Sequence, residues 1–299
     1  MHLLFPFLAS LLIVVSLILI NRALANGVGS LTVLFLVNEI SAVAFSVLWF
    51  SGGQIPAWQL FYQPFVIALL FMIGLMLTIL AVQQGDVSVA TPVFGLKVLL
   101  VAVLLMLIES EALPQPIWIS AALASLGIAL IQWTGRHHPR RLLLTIGLAL
   151  SAATCFAHFD VLVQRWAPVW GAGRFVPISY WMLGVLSLAM LPWVDFSPLK
   201  RDENRWIVVF GTLLMAAQSL CIVGAIAAYG DAARINVIYT LRGLWGVTLA
   251  WLVARRWGGA EAELTTGTIA TRFCGAALLT LAVVLVILTQ ESQVMGIGE

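Results

Sequence analysis

From Pro64 to Val82 the chain reads PFVIALLFMIGLMLTILAV, without one charged side chain. Such a run cannot cover the outside of a water-soluble domain, but it matches the roughly 20 apolar residues that cross a hydrocarbon core. Runs of the same kind recur along the whole chain. Only 9% of the 299 residues are charged, where a soluble domain carries about a quarter. The runs are continuous rather than alternating, which argues against a β-barrel. In lipid the backbone must satisfy its own N–H and C=O groups, so the runs are helices. The chain therefore reads as an all-α integral membrane protein whose first partner is the lipid bilayer. A net charge of +2 with no basic tail gives no reason to expect a nucleic-acid partner.

Hydropathy predicts ten transmembrane helices, at 3–23, 30–50, 62–83, 87–108, 115–133, 142–164, 173–194, 206–229, 232–254 and 266–289. Turn residues separate them: Asn26-Gly27, Gly52-Gly53, Gly85-Asp86, Pro114 and Pro116, Gly135 to Pro139, Gly171 and Gly173, Pro198, and Gly258-Gly259. Trp49, Trp58, Trp133, Trp166, Trp170, Trp193, Trp206 and Trp257 fall near span ends, where an aromatic belt is expected. Leu3 to Ile20 is longer than the apolar core of a secretory signal and no Lys or Arg precedes it, so it reads as the first span. Cys155, Cys221 and Cys274 stand singly inside apolar runs, without metal-ligand spacing.

A repeat organises the chain. Gly85 to Lys97 reads GDVSVATPVFGLK, and Gly230 to Arg242 reads GDAARINVIYTLR. The two stretches lie 145 residues apart, and in each a cation follows the Asp by eleven positions. Further on, Trp118 to Leu130 and Phe273 to Leu285 share five of thirteen residues. Two five-helix repeats are predicted, at 1–134 and 142–290. An odd number of spans turns the second copy upside down, and in such inverted repeats the solute site lies near the midplane. Orientation follows from Lys and Arg in the loops. Arg22, Arg136, Arg140, Arg141, Lys200, Arg201, Arg205, Arg255 and Arg256 fall on one side, and chiefly Arg165 and Arg174 on the other. The positive-inside rule then places both termini outside.

Several features resemble the EamA branch of the drug/metabolite transporter superfamily: two five-span halves, the junction Ala81 to Val93 ending in Thr91-Pro92-Val93, the acidic turn Glu109 to Leu113 with Glu111 and Leu113, and Trp118 followed by Gly127. The resemblance covers essentially the whole chain. It implies a multi-pass transporter, a monomer or homodimer in a bacterial cytoplasmic (inner) membrane, with termini inside, opposite to the charge count. The second half departs from the pattern, with Arg255-Arg256 at the acidic turn and Val237 at the proline.

Lys97 and Arg242 are the first candidates for solute binding. Eleven residues of helix rise about 16 Å, half of a hydrocarbon core of about 30 Å. A charge at that depth costs at least roughly 2.5–3.5 kcal/mol, so it faces a cavity or a partner. Phe94 and Tyr239 stand one turn before the cations and Trp245 one turn after Arg242, where their faces suit cation binding. Asn236 is six residues before Arg242 and is placed in the same cavity. The competing reading is an internal salt bridge that locks helices. Glu39 in the second span and Asp160 in the sixth are candidate ion-coupling acids, with counter-ions to the cations as the alternative. Asp86 and Asp231 read as helix starts, and His158 as a hydrogen-bonded helix residue.

No HExxH, GxSxG, P-loop or strand-linked GxGxxG occurs, so no catalytic residue, metal or cofactor is predicted. The expected function is secondary transport of a small organic metabolite, anionic by the cation pair, through alternating access. The alternative is a membrane enzyme or flippase acting on a lipid-linked substrate.

Overall fold

A helix placed in lipid needs no partner for its backbone, but it needs one for each polar side chain and each close-packed face. Those two needs shape what is seen. The structure is a computed structural model that describes residues 2–84, 90, 93–108, 113–132, 142–246, 248 and 266–296. Gly85-Asp86, Thr91-Pro92, the turn 109–112, Trp133, the loop 135–141 and residues 249–265 lie outside the described residues.

Among the described residues there are helices and 3-10 turns and no strand. The helices are α1 (Leu4–Ala25), α2 (Ser30–Phe45), α3 (Tyr62–Gln84), α4 (Lys97–Ile108), α5 (Gln115–Gln132), α6 (Leu142–Trp170), α7 (Ala172–Ser187), α8 (Asp202–Tyr229), α9 (Ala232–Tyr239) and α10 (Thr266–Gly296). Short 3-10 segments, Ser46–Ser51 and Leu188–Trp193, extend α2 and α7. Six helical stretches are long and apolar enough to cross a membrane: Leu4–Ala25, Ser30–Ser51, Trp58–Gln83, Leu143–Trp170, Ala172–Trp193 and Asp202–Tyr229. Large apolar side chains such as Val43, Phe50, Leu107, Leu143 and Val185 stand exposed on these and neighbouring helices. Water would make them a liability; hydrocarbon makes them ordinary. The chain is a multi-pass integral membrane protein.

The chain forms two compact units. One holds 1–75 and 159–231, the other 76–158 and 232–299. The first takes 1–75 from the first predicted repeat and 159–231 from the second, while in the other the segment 76–158 runs from the first predicted repeat into the second; the chain passes between units within α3, within α6 and after Asp231.

In the first unit α1 packs along α8. Gly211 on α8 has no side chain to hold the helices apart, since a Cβ there would lie 3.2 Å from Ile20. Ser16 Oγ donates to the Gly211 carbonyl across 2.7 Å. Beyond the apolar contact, Arg22 pairs with Glu203 and the Asn26 amide donates to Asn204. A second seam joins the α2–α3 turn to the α6–α7 turn. Gly173 is required there, because a Cβ would meet the Gly52 and Leu48 carbonyls at 2.4 and 2.5 Å. Arg174 donates to the Trp49 carbonyl and stacks 3.9 Å from its ring centre. Trp170 corrects the aromatic-belt reading. It is fully buried, with its indole N–H donating to Gln63 across 2.8 Å, whereas Trp58 and Trp193 are exposed as a belt requires.

In the second unit α5 packs along α10, and these are the segments that match in sequence, Trp118 to Leu130 and Phe273 to Leu285. The crossing is backbone on backbone. A Cβ on Gly275 would stand 2.7 Å from the Gly127 carbonyl oxygen. Close approach through small residues is how helices associate when lipid supplies no hydrophobic drive between them.

Candidate functional site

Within the described residues turns interrupt the fourth and ninth predicted spans, the first of them inside the helical stretch Val93–Ile108. Leu96 lies in a turn, with α4 starting at Lys97, and Thr240 and Leu241 form a turn after α9. The two breaks share two hydrogen bonds. Leu96 N–H donates to the Val93 carbonyl and Leu100 N–H to the Leu96 carbonyl. Leu241 N–H donates to the Ile238 carbonyl and Trp245 N–H to the Leu241 carbonyl. Every residue of the first set corresponds to one of the second at the 145-residue offset. In both, an i→i+3 bond tightens the chain one residue before the cation. This 3-10 geometry marks hinges and functional positions inside longer helices.

The first break has a local cause in packing. Gly95 presses against α5, since a Cβ would meet Ile128 at 2.9 Å, and its carbonyl accepts the Ser125 hydroxyl at 3.1 Å. At the second break Thr240 turns its hydroxyl back onto the Val237 carbonyl. α9 packs against α4 and α5, so the two broken segments are neighbours within this unit.

The cations have different surroundings. Arg242 lies over the Tyr239 ring, 4.6 Å from its centre, as the one-turn spacing predicts. The Lys97 ammonium is 6.0 Å from the centre of Phe156, a ring on α6. Phe94, expected beside Lys97, packs with Val93 and Leu148 on the small cluster Ala81, Ala90 and Ala149. Asn236 is 2% exposed and its amide donates to the Ala232 carbonyl across 2.9 Å. Trp245 is half-buried, one turn beyond Arg242.

The candidate acids belong to the first unit. Glu39 accepts the Ser187 hydroxyl at 2.6 Å. Asp160 is 2% exposed on α6. Tyr180 stacks on Phe45 with ring centres 3.6 Å apart, and its buried hydroxyl has no hydrogen-bond partner among the described residues. The crevice beside it, lined by Ile67, Ala68, Phe71, Phe159, Ser179, Tyr180 and Leu183, admits no water molecule and is a packing seam. His158 Nδ1 bonds the Thr154 carbonyl within its own helix, at 2.9 Å. Asp231 stands at the start of α9 and meets His2 at 3.2 Å.

No family model matches the chain, and no curated protein matches it. A protein crystal structure is similar to it, at 16% identity over 96% of this chain and 98% of that one, with a TM-score of 0.70. The likeness is one of fold. It extends over nearly every residue from which the two units are built.

Phe156 and Ser187 were not legible as site residues in the sequence. Phe156 is one of fifteen phenylalanines and lies 59 positions from Lys97. Ser187 is one small hydroxyl residue in a span, and only its 148-residue partnership with Glu39 distinguishes it.

Proposed function

We propose that the protein is a secondary transporter that moves a small organic anion by alternating access. Its ten spans form two inverted five-helix repeats, 1–134 and 142–290, in a bacterial inner membrane. The observation that carries this reading is the matched pair of helix breaks immediately before Lys97 and Arg242. Discontinuous helices near the midplane are where transporters of inverted-repeat architecture place solute and ion sites. Irregular backbone at membrane depth is tolerated where it is buried in protein or lines a water-filled cavity. Lys97 and Arg242 supply positive charge, Tyr239, Phe94 and Trp245 shape the walls, and Asn236 adds a polar group. Both cations lie over aromatic rings, Lys97 6.0 Å from the centre of Phe156 and Arg242 4.6 Å from that of Tyr239. Glu39 and Asp160 are the candidate coupling acids.

The test is counterflow into proteoliposomes loaded with candidate metabolites, in anionic, zwitterionic and cationic sets. Exchange of anionic solutes supports the reading. Conversion or flipping of a lipid-linked substrate, with no exchange of any soluble solute, overturns it in favour of the lipid enzyme or flippase.

A further inference from the structure

Glu39 is the one acid in α2, and its partner is a hydroxyl rather than a cation. Ser187 Oγ lies 2.6 Å from Glu39 Oε1 and 2.9 Å from the Gly184 carbonyl oxygen. A serine hydroxyl has a single proton to donate. With Glu39 ionised both neighbours are acceptors, so the hydroxyl serves one of them at a time. A separation of 2.6 Å falls in the range of about 2.5–2.7 Å for a hydroxyl on a carboxylate, so the carboxylate takes the proton. The Gly184 carbonyl is not orphaned, because the Leu188 N–H reaches it.

The same heavy-atom positions serve the protonated acid. The acid O–H then donates to Ser187 Oγ, and the serine proton turns to the second lone pair of the Gly184 carbonyl. In both states Ser187 Oγ, Glu39 Oε1 and the Gly184 carbonyl keep a partner, and an unmade bond is the usual cost of protonating a group inside a protein. Gly184 makes the arrangement reachable. A Cβ there would lie 3.1 Å from the Ala42 Cβ and 3.6 Å from Glu39 Oε2, so the absent side chain lets α2 approach α7.

The other titratable groups on the helices packed against α2 are engaged or neutral. On α7 they are Arg174, held on Trp49, and Tyr180. On α8, Asp202 pairs with Arg205, Glu203 with Arg22, Tyr229 stacks near His2, and Cys221 is half-buried. Asp160 on α6 is buried and engaged.

We infer that Glu39 is a proton-binding site, and that Ser187 is the positioning residue holding it in both protonation states. The reaction is uptake of one water-borne proton onto a carboxylate oxygen and its later release. Where it rests on the transporter reading, the inference names the coupling ion as the proton.

Infrared difference spectra of the full chain in lipid bilayers, acid minus neutral, test this without reference to transport. The native protein is expected to show a protonated-carboxyl carbonyl band that Glu39→Gln removes. Ser187→Ala is expected to shift the frequency of that band, because the acid loses its acceptor, and Ser187→Thr to restore it. A native spectrum with no band that Glu39→Gln removes overturns the inference, as does an unchanged frequency in Ser187→Ala. Solute exchange without the band counts against the proton site alone; the band without solute exchange upholds the site and counts against the transporter reading.

Discussion

The guanidinium carbon of Arg242 stands 4.6 Å from the centre of the Tyr239 ring, and the turn at Thr240 and Leu241 lies between them. In an unbroken helix the ring and the cation would be stacked along one face. Here the tightened turn sets the cation at the start of a new helical segment, where the Gly243 N–H donates to the Thr240 carbonyl and the Trp245 N–H to the Leu241 carbonyl. Arg242→Lys keeps the charge and loses the planar group that covers the ring. Half-saturation for solute counterflow is expected to rise by about tenfold, the scale of a desolvated cation–π contact. Tyr239→Ala is expected to match it, and Tyr239→Phe to stay near native. Concentration-dependent counterflow reads all three.

Gly275 and Gly147 separate packing from propensity. A Cβ on Gly275 meets the Gly127 carbonyl at 2.7 Å and the Ile131 N at 2.9 Å, both backbone atoms that cannot swing away. Nothing lies within 4 Å of a Cβ on Gly147. Gly275→Ala is expected to destabilise by about 1–3 kcal/mol through overpacking. Gly147→Ala is expected to be neutral or to stabilise by up to about 1 kcal/mol. Thermal unfolding in detergent, compared between the two variants, checks the contrast.

Trp170 is fully buried and its indole N–H is the donor to Gln63. Trp170→Phe leaves the Gln63 carbonyl buried without that donor, which costs about 1–3 kcal/mol. Adding Gln63→Leu removes the unsatisfied group and is expected to recover part of the loss. A double-mutant cycle on the unfolding midpoint measures the coupling.

Much of this was open to a reader of the sequence, for physical reasons that also set where reading stopped. Helix ends at α1, α3 and α5 follow the apolar runs because lipid accepts little else. The ring under Arg242 was legible since one helical turn is a local spacing. The breaks at Leu96 and Thr240 were not. Gly95 and Thr240 look ordinary in an apolar run, and what breaks the first helix is Ser125 and Ile128 on another element. In the sequence Trp170 looks like an interface anchor, because its place near a span end is shared by belt and core residues alike. Only Gln63, 107 positions away, sets it apart. Ser187 escaped for the same reason, as a hydroxyl whose meaning lies in an acid on α2.

Asp195 lies between α7 and α8, outside the spans. The Ser197 hydroxyl, the Ser197 backbone N–H at 2.8 Å and the Lys200 charge hold its carboxyl below the usual carboxylate range. A lowered folded value contributes stability above about pH 4, where the unfolded carboxyl is also ionised, and loses it as pH falls through the folded value. The thermal midpoint of the native protein is therefore expected to exceed that of Ser197→Ala at neutral pH. The gap is expected to shrink on acidification. Melting curves across the acid range read it, and a gap that widens toward low pH contradicts the assignment.

The central claim is that Lys97 and Arg242 bind the solute together at two matched helix breaks. The measurement that tests it most directly is counterflow of the exchanged anion in Lys97→Gln, in Arg242→Gln and in the native protein, at equal amounts of folded protein in the liposomes. The expected result is loss of exchange in each variant, with helix content and thermal midpoint close to native. Native exchange rates in both variants would contradict the claim, and would return the two cations to a structural role.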